Sequence, residues 1–472
     1  METSDLCSLE KLRQLPIARA AFDQSPKAHC LSGTRVDIIK QLLSDLKNSP
    51  SRFVWLKGSP GRGKSAIAKS ICTELRADNV PVTSFFFNKD GSQAHTSSAA
   101  RFASTIARQL ARISDEFGKE LAKLDLEESS QNFSKEEQLE QLVISPATKV
   151  VWSSRVVLVL DALDECGDRD ALRELVGLVG LLQRLPRTFA IFVSCRPVDI
   201  VEDFFRDISP KHRSLDATSA TEDMRIFVRR SLSEISNRSS SGNWPPPVNE
   251  MDDFADACGG LFEIASVRIR QVCDDSVPHI EAFNFFLSSQ DPAPSLVKEY
   301  RRILRSAYTN KLMSGEGNQL HQIAYQRYRQ FVGVLITAFE RMSPQSLASL
   351  VNMEVDQIRV TLKHLSPVME TRGNDELFQF YHASFREFLL LEDDLASGSY
   401  PVCFGGVRHI ETLEFCLRNI RNSEYGKKNW LAHLETTKAD EARRIPALLQ
   451  SFAENGLFEW LESMDSRDAE SG

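Results

Sequence analysis

The sequence lacks any long hydrophobic segment. Its longest apolar stretches, such as FVGVLITAF at 331–339, fall well short of the about 20 residues that a membrane-spanning helix needs. The N-terminal stretch METSDLCSLEKLRQL contains no apolar core of the kind that a secretory signal has. We therefore expect no membrane span, no secretion and a cytoplasmic location.

Positive charge is also in short supply. The 472 residues contain 57 Lys and Arg against 65 Asp and Glu, which gives a formal net charge of −8. This acidic balance argues against a general electrostatic attachment to nucleic acid or to an anionic membrane. The nine cysteines are scattered and form no C-x-x-C pair, which is typical of a reduced intracellular chain.

The composition is otherwise that of a globular protein, with 42% apolar and 26% charged residues. From about residue 30 to 215, short apolar runs alternate with longer helical patterns, which is typical of a parallel α/β sheet. The strands are nearly continuous in their apolarity, so we expect both faces of the sheet to be covered. The predicted strands are 52–57, 82–87, 155–160 and 189–194, and the predicted helices are about 64–77, 97–113, 134–143 and 169–184.

Beyond residue 215 the strand patterns stop and helical patterns dominate. One short strand-like piece, LFQFY, occurs at 377–381, and no internal repeat is present. A Ser-, Gly- and Pro-rich stretch at 237–247 predicts a loop. Helices are predicted at 220–235, 249–273 and 296–313, and over most of 406–465.

The strongest functional signal is GSPGRGKS at 58–65, which has the form G-x-x-x-x-G-K-S between a predicted strand and a predicted helix. Glycines allow backbone N–H groups to wrap an anion, and the helix N-terminus adds the positive end of its dipole. Lys64 is predicted to reach the β- and γ-phosphates of a nucleotide, and Ser65 to offer its hydroxyl to Mg²⁺. The predicted phosphate-binding residues are Gly58, Ser59, Pro60, Gly61, Arg62, Gly63, Lys64 and Ser65.

A second signal is VVLVLDALDEC at 156–166, in which a buried strand ends in Asp161. Open α/β sheets bind ligands at the carboxyl ends of their strands, so Asp161 is predicted to hold the Mg²⁺. Asp164 and Glu165 follow at once and are predicted to orient or deprotonate an attacking water. The alternative is that Asp164 only caps the next helix.

A third signal is FVSCRP at 192–197, where Arg196 follows a buried strand. A cation at this position is able to sense the γ-phosphate of a nucleotide. By itself, however, the pattern favours an ordinary surface arginine in a strand-to-loop turn.

Taken in order along the chain, these segments resemble the fungal branch of the NACHT family. The resemblance runs from about residue 15 to 465. NACHT proteins are signal-transducing NTPases of the STAND class, related to vegetative-incompatibility proteins and to NOD-like receptors. The segments that carry it are LPIARAAFDQSPKAHCLSGTR, GSPGRGKS, SFFFNKD, VVLVLDALDEC, FVSCRP, GLFEIAS and YHASFREFLL.

The resemblance implies an α/β nucleotide-binding domain, a helical domain and a winged-helix domain that folds back over the nucleotide. In that scheme ADP holds a closed state, and exchange for ATP opens the protein for homo-oligomerisation. The fold class expected is therefore α/β, with a P-loop NTPase parallel sheet followed by helical and winged-helix domains. The expected boundaries are 1–29 for an N-terminal arm, 30–216 for the α/β domain, 217–290 for the helical domain, 291–395 for the winged helix and 396–472 for a C-terminal helical segment.

The resemblance also implies roles for individual residues. Arg35, in the G-T-R segment, is expected near the nucleotide, and Ala162 matches the small residue of the family's Walker B segment. His382, in YHASFREFLL, matches the winged-helix histidine that approaches the ADP phosphates. Without the resemblance, His382 is a lone histidine beside a strand, and a purely structural role is favoured.

The sequence departs from the family pattern in several places. Glu263 stands in GLFEIAS where relatives usually have an apolar residue, so that helix is expected to pack differently. Cys195 stands where a serine or threonine is usual near the sensor arginine. No effector domain fits into residues 1–29, and the chain ends where relatives begin their repeats. Effector and sensor proteins are therefore expected to act in trans or to be missing.

Three functions remain open at this point. The first is a nucleotide-controlled switch in fungal non-self recognition or programmed cell death, with slow Mg²⁺-dependent hydrolysis at most. The second is a scaffold that holds ADP and never turns over, and the third is a nucleic-acid-handling ATPase. Residues 322–390 contain seven Lys and Arg against seven Asp and Glu, which disfavours a DNA-binding wing, so no nucleic acid is expected. ATP and ADP are favoured over GTP because no N-K-x-D segment is present.

Overall fold

The computed structural model describes most of the chain in two compact units, one ending at Ala293 and the other beginning at Pro294. Residues 1–14, most of the predicted loop 237–247, the end of the predicted helix 296–313 and residues 463–472 lie outside the described residues. The described residues are 15, 18, 20–23, 28–88, 99–124, 133–235, 244–274, 277–288, 291, 293–308, 317–373, 375–392, 402–405, 408–437, 441–458 and 460–462.

The first unit is built on a five-stranded parallel sheet in the order β2-β3-β4-β1-β5. The four strands predicted from apolar runs are present within one or two residues of their predicted bounds. The fifth was not predicted, because its sequence KHRS is polar and partly exposed and it pairs only with β1 at the sheet edge. The strands are β1 (Phe53–Lys57), β2 (Val82–Phe86), β3 (Val156–Asp161), β4 (Phe189–Cys195) and β5 (Lys211–Ser214).

Helices cover both faces of this sheet, as the buried strands require. Side chains of β1 alternate between two cores, with Phe53 and Trp55 in one cluster and Val54 and Leu56 in the other. The helices up to the end of the sheet are α1 (Val36–Asn48), α2 (Lys64–Ala77), α3 (Phe102–Ile113), α4 (Asp115–Ala122), α5 (Lys135–Leu139), α6 (Ser145–Thr148), α7 (Arg169–Leu181) and α8 (Asp199–Ile208). The predicted α/β fold class is thus confirmed.

The described part of the N-terminal arm packs along the edge strand β2. Ala20 O accepts a hydrogen bond from Phe86 N at 2.8 Å, and Phe22 N donates to Ser84 Oγ at 2.9 Å. Ala18 N donates to Thr105 Oγ1 on α3 at 3.0 Å. The arm therefore covers an edge that would otherwise present unpaired backbone groups, a role that its mixed composition did not indicate.

In the described part of the first unit, four helices follow the sheet. The single helix predicted at 249–273 is wrong, because the structure has two helices with a break between them. Gly259 and Gly260 both have positive φ, 61° and 72°, a backbone conformation that ends a helix and that glycine adopts at little cost. The four helices are α9 (Thr221–Ile235), α10 (Val248–Asp256), α11 (Phe262–Val272) and α12 (His279–Ser288).

The second unit is mostly helical and contains one antiparallel hairpin. Two short helices precede the hairpin and one follows it. The predicted strand 377–381 is one arm of the hairpin, at Leu377–Phe380. The elements are α13 (Leu296–Tyr308), α14 (Gly317–Thr337), α15 (Pro344–Val351), α16 (Val355–Lys363), β6 (Met369–Arg372), β7 (Leu377–Phe380), α17 (Ala383–Leu389), α18 (His409–Arg418), α19 (Glu424–Thr436) and α20 (Ile445–Asn455).

Among the helices that the structure describes, none combines the length and the apolarity that crossing a bilayer requires.

Candidate nucleotide-binding site

The loop at 58–65 connects β1 to α2 at the carboxyl edge of the sheet. Gly61 and Gly63 have φ of 76° and 87°, which lets the backbone turn tightly into the helix. Gly63 is the N-cap of α2, a helix of 14 residues. The N–H groups of the first turn and the positive dipole end of that helix therefore face the loop, which is the arrangement that binds anions.

Lys64 folds its side chain over the same loop. Its Nζ donates to Gly58 O at 2.6 Å and to Ser59 O at 3.1 Å. Burial lowers the pKa of Lys64, and the positive charge of Arg196 adds to this, while Asp164 opposes it. The ammonium is thus inside the site, within electrostatic range of the acidic residues that follow β3.

Asp161 is the last residue of β3 and is fully buried. Ser194 Oγ, on the neighbouring strand β4, donates to Asp161 Oδ1 at 2.5 Å and accepts from Ala162 N at 3.1 Å. Ala162 has φ of 58°, so the chain turns sharply directly after the carboxylate. Sequence reasoning missed Ser194. The available signal was a polar residue in the apolar strand FAIFVSC, which neighbours the strand that ends in Asp161.

Asp164 and Arg196 form a pair that joins the turn after β3 to the turn after β4. Arg196 Nε lies 3.0 Å from Asp164 Oδ2, and Arg196 N donates to Asp164 Oδ1 at 3.1 Å. Both side chains are largely buried. The FVSCRP pattern taken alone favoured an ordinary surface arginine at position 196. The largely buried and paired Arg196 side chain does not fit that interpretation.

The alternative that Asp164 caps the following helix is wrong. The N-cap of α7 is Asp168, whose carboxylate accepts from Asp170 N at 3.1 Å and from Ala171 N at 2.9 Å. Asp164 and Glu165 lie instead in a 3₁₀ turn at Leu163–Glu165, directly after Asp161. The acidic residues therefore stay at the carboxyl edge of the sheet.

The other side of the loop is bonded to the helical part of the first unit. Arg62 Nη1 donates to Gly260 O at 3.2 Å, and Glu263 N donates to Gly61 O at 3.3 Å. A Cβ on Gly260 would stand 2.6 Å from Arg62 Nη1, so the approach is tight. The break between α10 and α11 is thus what lets the helical segment reach the phosphate loop.

Asp216, which sequence reasoning did not single out, supports the same loop. Its carboxylate accepts from Ser59 N at 2.9 and 3.2 Å, and Arg62 Nε lies 3.3 Å from its Oδ1. The residue follows β5, the strand that was not predicted, so the sequence pattern gave no reason to place it at the site.

Arg35 is buried against the loop rather than extended into open space, with 5% of its surface exposed. Its Nη2 donates to Arg62 O at 3.1 Å, and its guanidinium lies 5.0 Å from the centre of the Phe262 ring. Asp223 accepts from Arg35 N at 3.1 Å and lies 3.8 Å from Nη1. Burial lowers the pKa of Arg35, with Asp223 opposing the shift. Arg35 therefore joins the start of α1, the loop and the start of α11.

Glu263, the departure noted in GLFEIAS, is accommodated by an ion pair. Arg270 Nη2, two turns along α11, donates to Glu263 Oε1 at 2.9 Å. Burial raises the pKa of Glu263, and Arg270 opposes that shift. Glu263 lies in the first turn of α11, where its negative charge interacts favourably with the positive end of the helix dipole.

His382 lies in the second unit as the N-cap of α17. Ser384 N donates to His382 Nδ1 at 3.2 Å, and Ser384 Oγ lies 2.6 Å from the same nitrogen. Tyr300 Oη lies 2.9 Å from Ser384 Oγ. Because Nδ1 accepts the backbone hydrogen bond, a neutral imidazole carries its proton on Nε2.

These features define a P-loop NTPase fold. A buried strand leads through a glycine-rich turn to a lysine at a helix N-terminus, and a second parallel strand, separated from the first by β4, ends in a buried aspartate. The first unit therefore has the architecture of a nucleoside-triphosphate-binding domain.

Comparison with known families gives one match, over part of the chain. Residues 35–196 match the family model described as Nephrocystin 3, N-terminal. No protein with curated annotation matches the sequence significantly. The matched model is not specific to fungal NACHT proteins, so that finer assignment stays a prediction.

Several solved structures have a similar but distant fold. A Walker-type ATPase of Pyrococcus abyssi is 13% identical with a TM-score of 0.39, and the alignment covers 77% of this chain and 98% of that one. A STAND protein of Pyrococcus horikoshii with a tetratricopeptide repeat sensor is 13% identical with a TM-score of 0.43, and the alignment covers 90% of this chain and 50% of that one. Drosophila ORC bound to DNA is 11% identical with a TM-score of 0.36, over 83% and 92% of the two chains.

Proposed function

We propose that the chain is a nucleotide-controlled signalling switch of the STAND class, which binds ATP or ADP with Mg²⁺ at the 58–65 loop. The observation that carries this proposal is the bonding of the phosphate loop to the helical segment. Gly61 and Arg62 contact Gly260 and Glu263 directly, so a ligand that reshapes the loop also acts on the start of α11. Differential contacts of this kind are what allow a ligand to shift a conformational equilibrium.

The residues of the loop fit a nucleotide phosphate and a magnesium ion. Apart from Gly63 and the chain directly around it, no heavy atom of the described residues lies within 4 Å of the position that a Cβ of Gly63 would take, so phosphate oxygens have room to approach the backbone. The buried carboxylate of Asp161 and the hydroxyl of Ser65 are oxygen donors of the type that Mg²⁺ uses together with phosphates and water. When bound, the ion would neutralise charge on the phosphates.

Each remaining residue has a role that follows from its position. Lys64 neutralises the β- and γ-phosphates from within the loop. Asp164 fixes Arg196 beside the site, where the guanidinium senses the γ-phosphate. Glu165 orients the attacking water, and turnover is slow at most because the water must be positioned by an assembled or opened state.

His382 is proposed to bind the phosphates of ADP in the closed state. The bond from Ser384 N to Nδ1 leaves the proton on Nε2, which supplies the donor that contact with a phosphate requires. The resemblance further suggests that the ATP-bound form assembles into homo-oligomers. Fungal non-self recognition or programmed cell death is the biological role that we propose.

Replacement of Lys64 by Ala tests the phosphate assignment. The variant is expected to lose at least about 2 kcal/mol of Mg·ADP binding, because one charge-assisted contact to the phosphates is removed. Isothermal titration with Mg·ADP measures this, and Lys47→Ala is the matched control. Lys47 forms a surface ion pair with Asp78 at 2.5 Å, away from the 58–65 loop in sequence, and its variant should bind like the wild type. Equal Mg·ADP affinity of Lys64→Ala and the wild type would contradict the assignment.

A further inference from the structure

The pairing of β5 with β1 continues into the start of the phosphate loop. Lys57, the last residue of β1, lies opposite Ser214 in the sheet, and Leu215 N donates to Lys57 O at 2.9 Å. A Cβ on Gly58 would stand 3.0 Å from the Leu215 Cβ, so the two segments pass close together. The main chain of the sheet thus places Asp216 beside the first residues of the loop.

The Asp216 carboxylate contacts the loop at two points. Ser59 N donates to Oδ2 at 2.9 Å and to Oδ1 at 3.2 Å, and Arg62 Nε lies 3.3 Å from Oδ1. Between these two points lies Gly61, with φ of 76°, and glycine has more accessible backbone conformations than any other residue. A carboxylate that holds the chain on both sides of this glycine restricts the loop to one shape before a nucleotide arrives.

Arg62 extends the same contact to the helical segment. Its Nη1 donates to Gly260 O, in the break before α11, at 3.2 Å. Asp216 itself belongs to the connection between β5 and α9, residues 215–220. The Asp216–Arg62 pair therefore joins three parts of the first unit, namely the phosphate loop, the connection into α9 and the start of α11.

Two opposed effects of the carboxylate have to be weighed. Its negative charge repels nucleotide phosphates, whereas its bonds hold the loop that binds them. The repulsion is reduced because the Arg62 guanidinium lies close to the carboxylate, and because water screens a side chain that is 35% exposed. The bond from Ser59 N is a charge-assisted hydrogen bond to the loop backbone, which is stronger than a neutral one. The holding effect is therefore expected to be the larger of the two.

We propose that Asp216 is a positioning residue that prolongs the retention of the nucleotide. It acts through Ser59 and Arg62, whose positions it fixes relative to the connection into α9, and so it slows the release of ADP. Movement of that connection breaks both contacts and frees the loop. The inference rests on the proposed function of the loop and assigns the control of its release rate to one residue.

Two substitutions separate the contacts of Asp216. Asp216→Asn keeps an oxygen that accepts from Ser59 N and removes the negative charge beside Arg62, whereas Asp216→Ala removes both contacts. Release of Mg²⁺-bound N-methylanthraniloyl-ADP from the full chain is measured by stopped flow with excess unlabelled Mg·ADP. It should be about threefold faster than in the wild type for Asp216→Asn, which loses a partly exposed ion pair, and at least about tenfold faster for Asp216→Ala. If the alanine variant does not fold, the asparagine variant alone decides the test.

The matched control is Asp45→Asn. Asp45 Oδ2, on α1, lies 2.8 Å from Arg213 Nη2, on β5, so this ion pair also anchors β5 and is partly buried like the Arg62–Asp216 pair. Its release rate should equal that of the wild type. Urea denaturation should give similar free energies of unfolding for Asp45→Asn and Asp216→Asn, so that faster release does not reflect lower stability.

A double variant tests whether Asp216 acts through Arg62. In an Arg62→Gln background, Asp216→Asn should change the release rate by less than about twofold. The reason is that the positive charge which the carboxylate holds is already absent, and the asparagine still accepts from Ser59 N.

The inference is overturned if Asp216→Asn and Asp216→Ala leave the release rate unchanged or lower it. Equally fast release in Asp45→Asn, or a full threefold effect of Asp216→Asn in the Arg62→Gln background, would overturn it as well. Each of these results leaves the nucleotide site intact. A wild-type chain that binds no Mg·ADP would instead overturn the proposed function, and the inference with it.

Discussion

Among single residues, those that carry the chemistry of the site are easier to predict from the sequence than those that hold them in position. The chemistry of phosphate binding fixes the spacing of the lysine, the glycines and Asp161. These residues can therefore be recognised from the sequence alone. Ser194 and Asp216 act through contacts between distant segments, at sequence separations of 33 and 157 residues. Such contacts depend on strand order, which no local pattern encodes.

Ser194→Ala is a direct test of how Asp161 is supported. Removing the hydroxyl leaves the buried carboxylate without one donor and Ala162 N without its acceptor, so the free energy of unfolding should fall by about 2 kcal/mol. Mg·ADP affinity should fall as well, because Asp161 loses the contact that orients it. Urea denaturation and calorimetric titration measure the two effects.

The control for that substitution is Ser233→Ala on the exposed face of α9, where the hydroxyl donates to the helix carbonyl of Arg229 at 2.7 Å. It should change the free energy of unfolding by no more than about 0.5 kcal/mol. If the two alanine variants were equally stable, the role assigned to Ser194 would be wrong.

Among the elements, apolar runs identified the strands that are buried on both faces. The sequence patterns did not predict a polar edge strand or the break within a helix. The edge strand β5 reads KHRS and has no buried run. The single helix predicted at 249–273 is two helices in the structure. The prediction followed the helical periodicity through Gly259 and Gly260 and did not consider that glycines readily adopt positive φ. The split is the feature that brings Gly260 O to Arg62, so the error concealed a contact of the site.

Gly260→Ala tests this contact between elements. The residue has φ of 72°, and its Cβ would meet Arg62 Nη1 at 2.6 Å. Both strain and displacement of Arg62 should weaken Mg·ADP binding by about fivefold or more and destabilise the first unit by about 1–2 kcal/mol. Titration of Mg·ADP and urea denaturation give the two values.

Gly177→Ala is the matched control for that change. Gly177 lies within α7, and beyond the backbone of that helix no described heavy atom lies within 4 Å of its added Cβ. The alanine variant should gain about 0.5–1 kcal/mol of stability from helix propensity. Nucleotide binding should be unaffected. A Gly260→Ala variant that binds Mg·ADP like the wild type would show that the loop is not coupled to α11.

At the scale of the whole molecule, the chain divides into two units with different kinds of core. The core of the first unit forms on both faces of its parallel sheet, whose buried strands are recognisable in the sequence as apolar runs. The second depends on packed helices and on buried polar side chains that pattern reading does not reveal. In it, His433 Nε2 lies 2.8 Å from Tyr425 Oη, and His433 Nδ1 lies 2.8 Å from His409 Nδ1.

These histidines predict an acid-sensitive second unit. Burial lowers the pKa of His433 to about 3 and that of His409 to about 4, while the unfolded chain protonates near 6.5. Because the unfolded state then binds more protons, stability is complete above pH 6.5 and falls as the pH decreases towards the folded values. For fully buried His433 alone, the loss between pH 6.5 and 5 is about 2 kcal/mol.

Hydrogen exchange corrected for intrinsic rates measures this loss by region. Amides of α18 and α19 should lose protection between pH 7.5 and 5 to a greater extent than amides of β3 and β4. His433→Gln should remove most of the difference, whereas His212→Gln on exposed strand β5 should leave it unchanged. A uniform loss of protection across both units would refute the histidine explanation.

Identifying the nucleotide that the purified chain retains tests whether the phosphate loop serves a nucleotide-held switch. The purified chain is denatured and the released nucleotide is separated by chromatography and quantified against protein. We expect close to one ADP per chain, retained through purification, because the loop, Lys64 and the acidic residues behind it are already assembled. A chain that releases no nucleotide and gains no Mg²⁺-dependent binding of ATP or ADP would contradict the account.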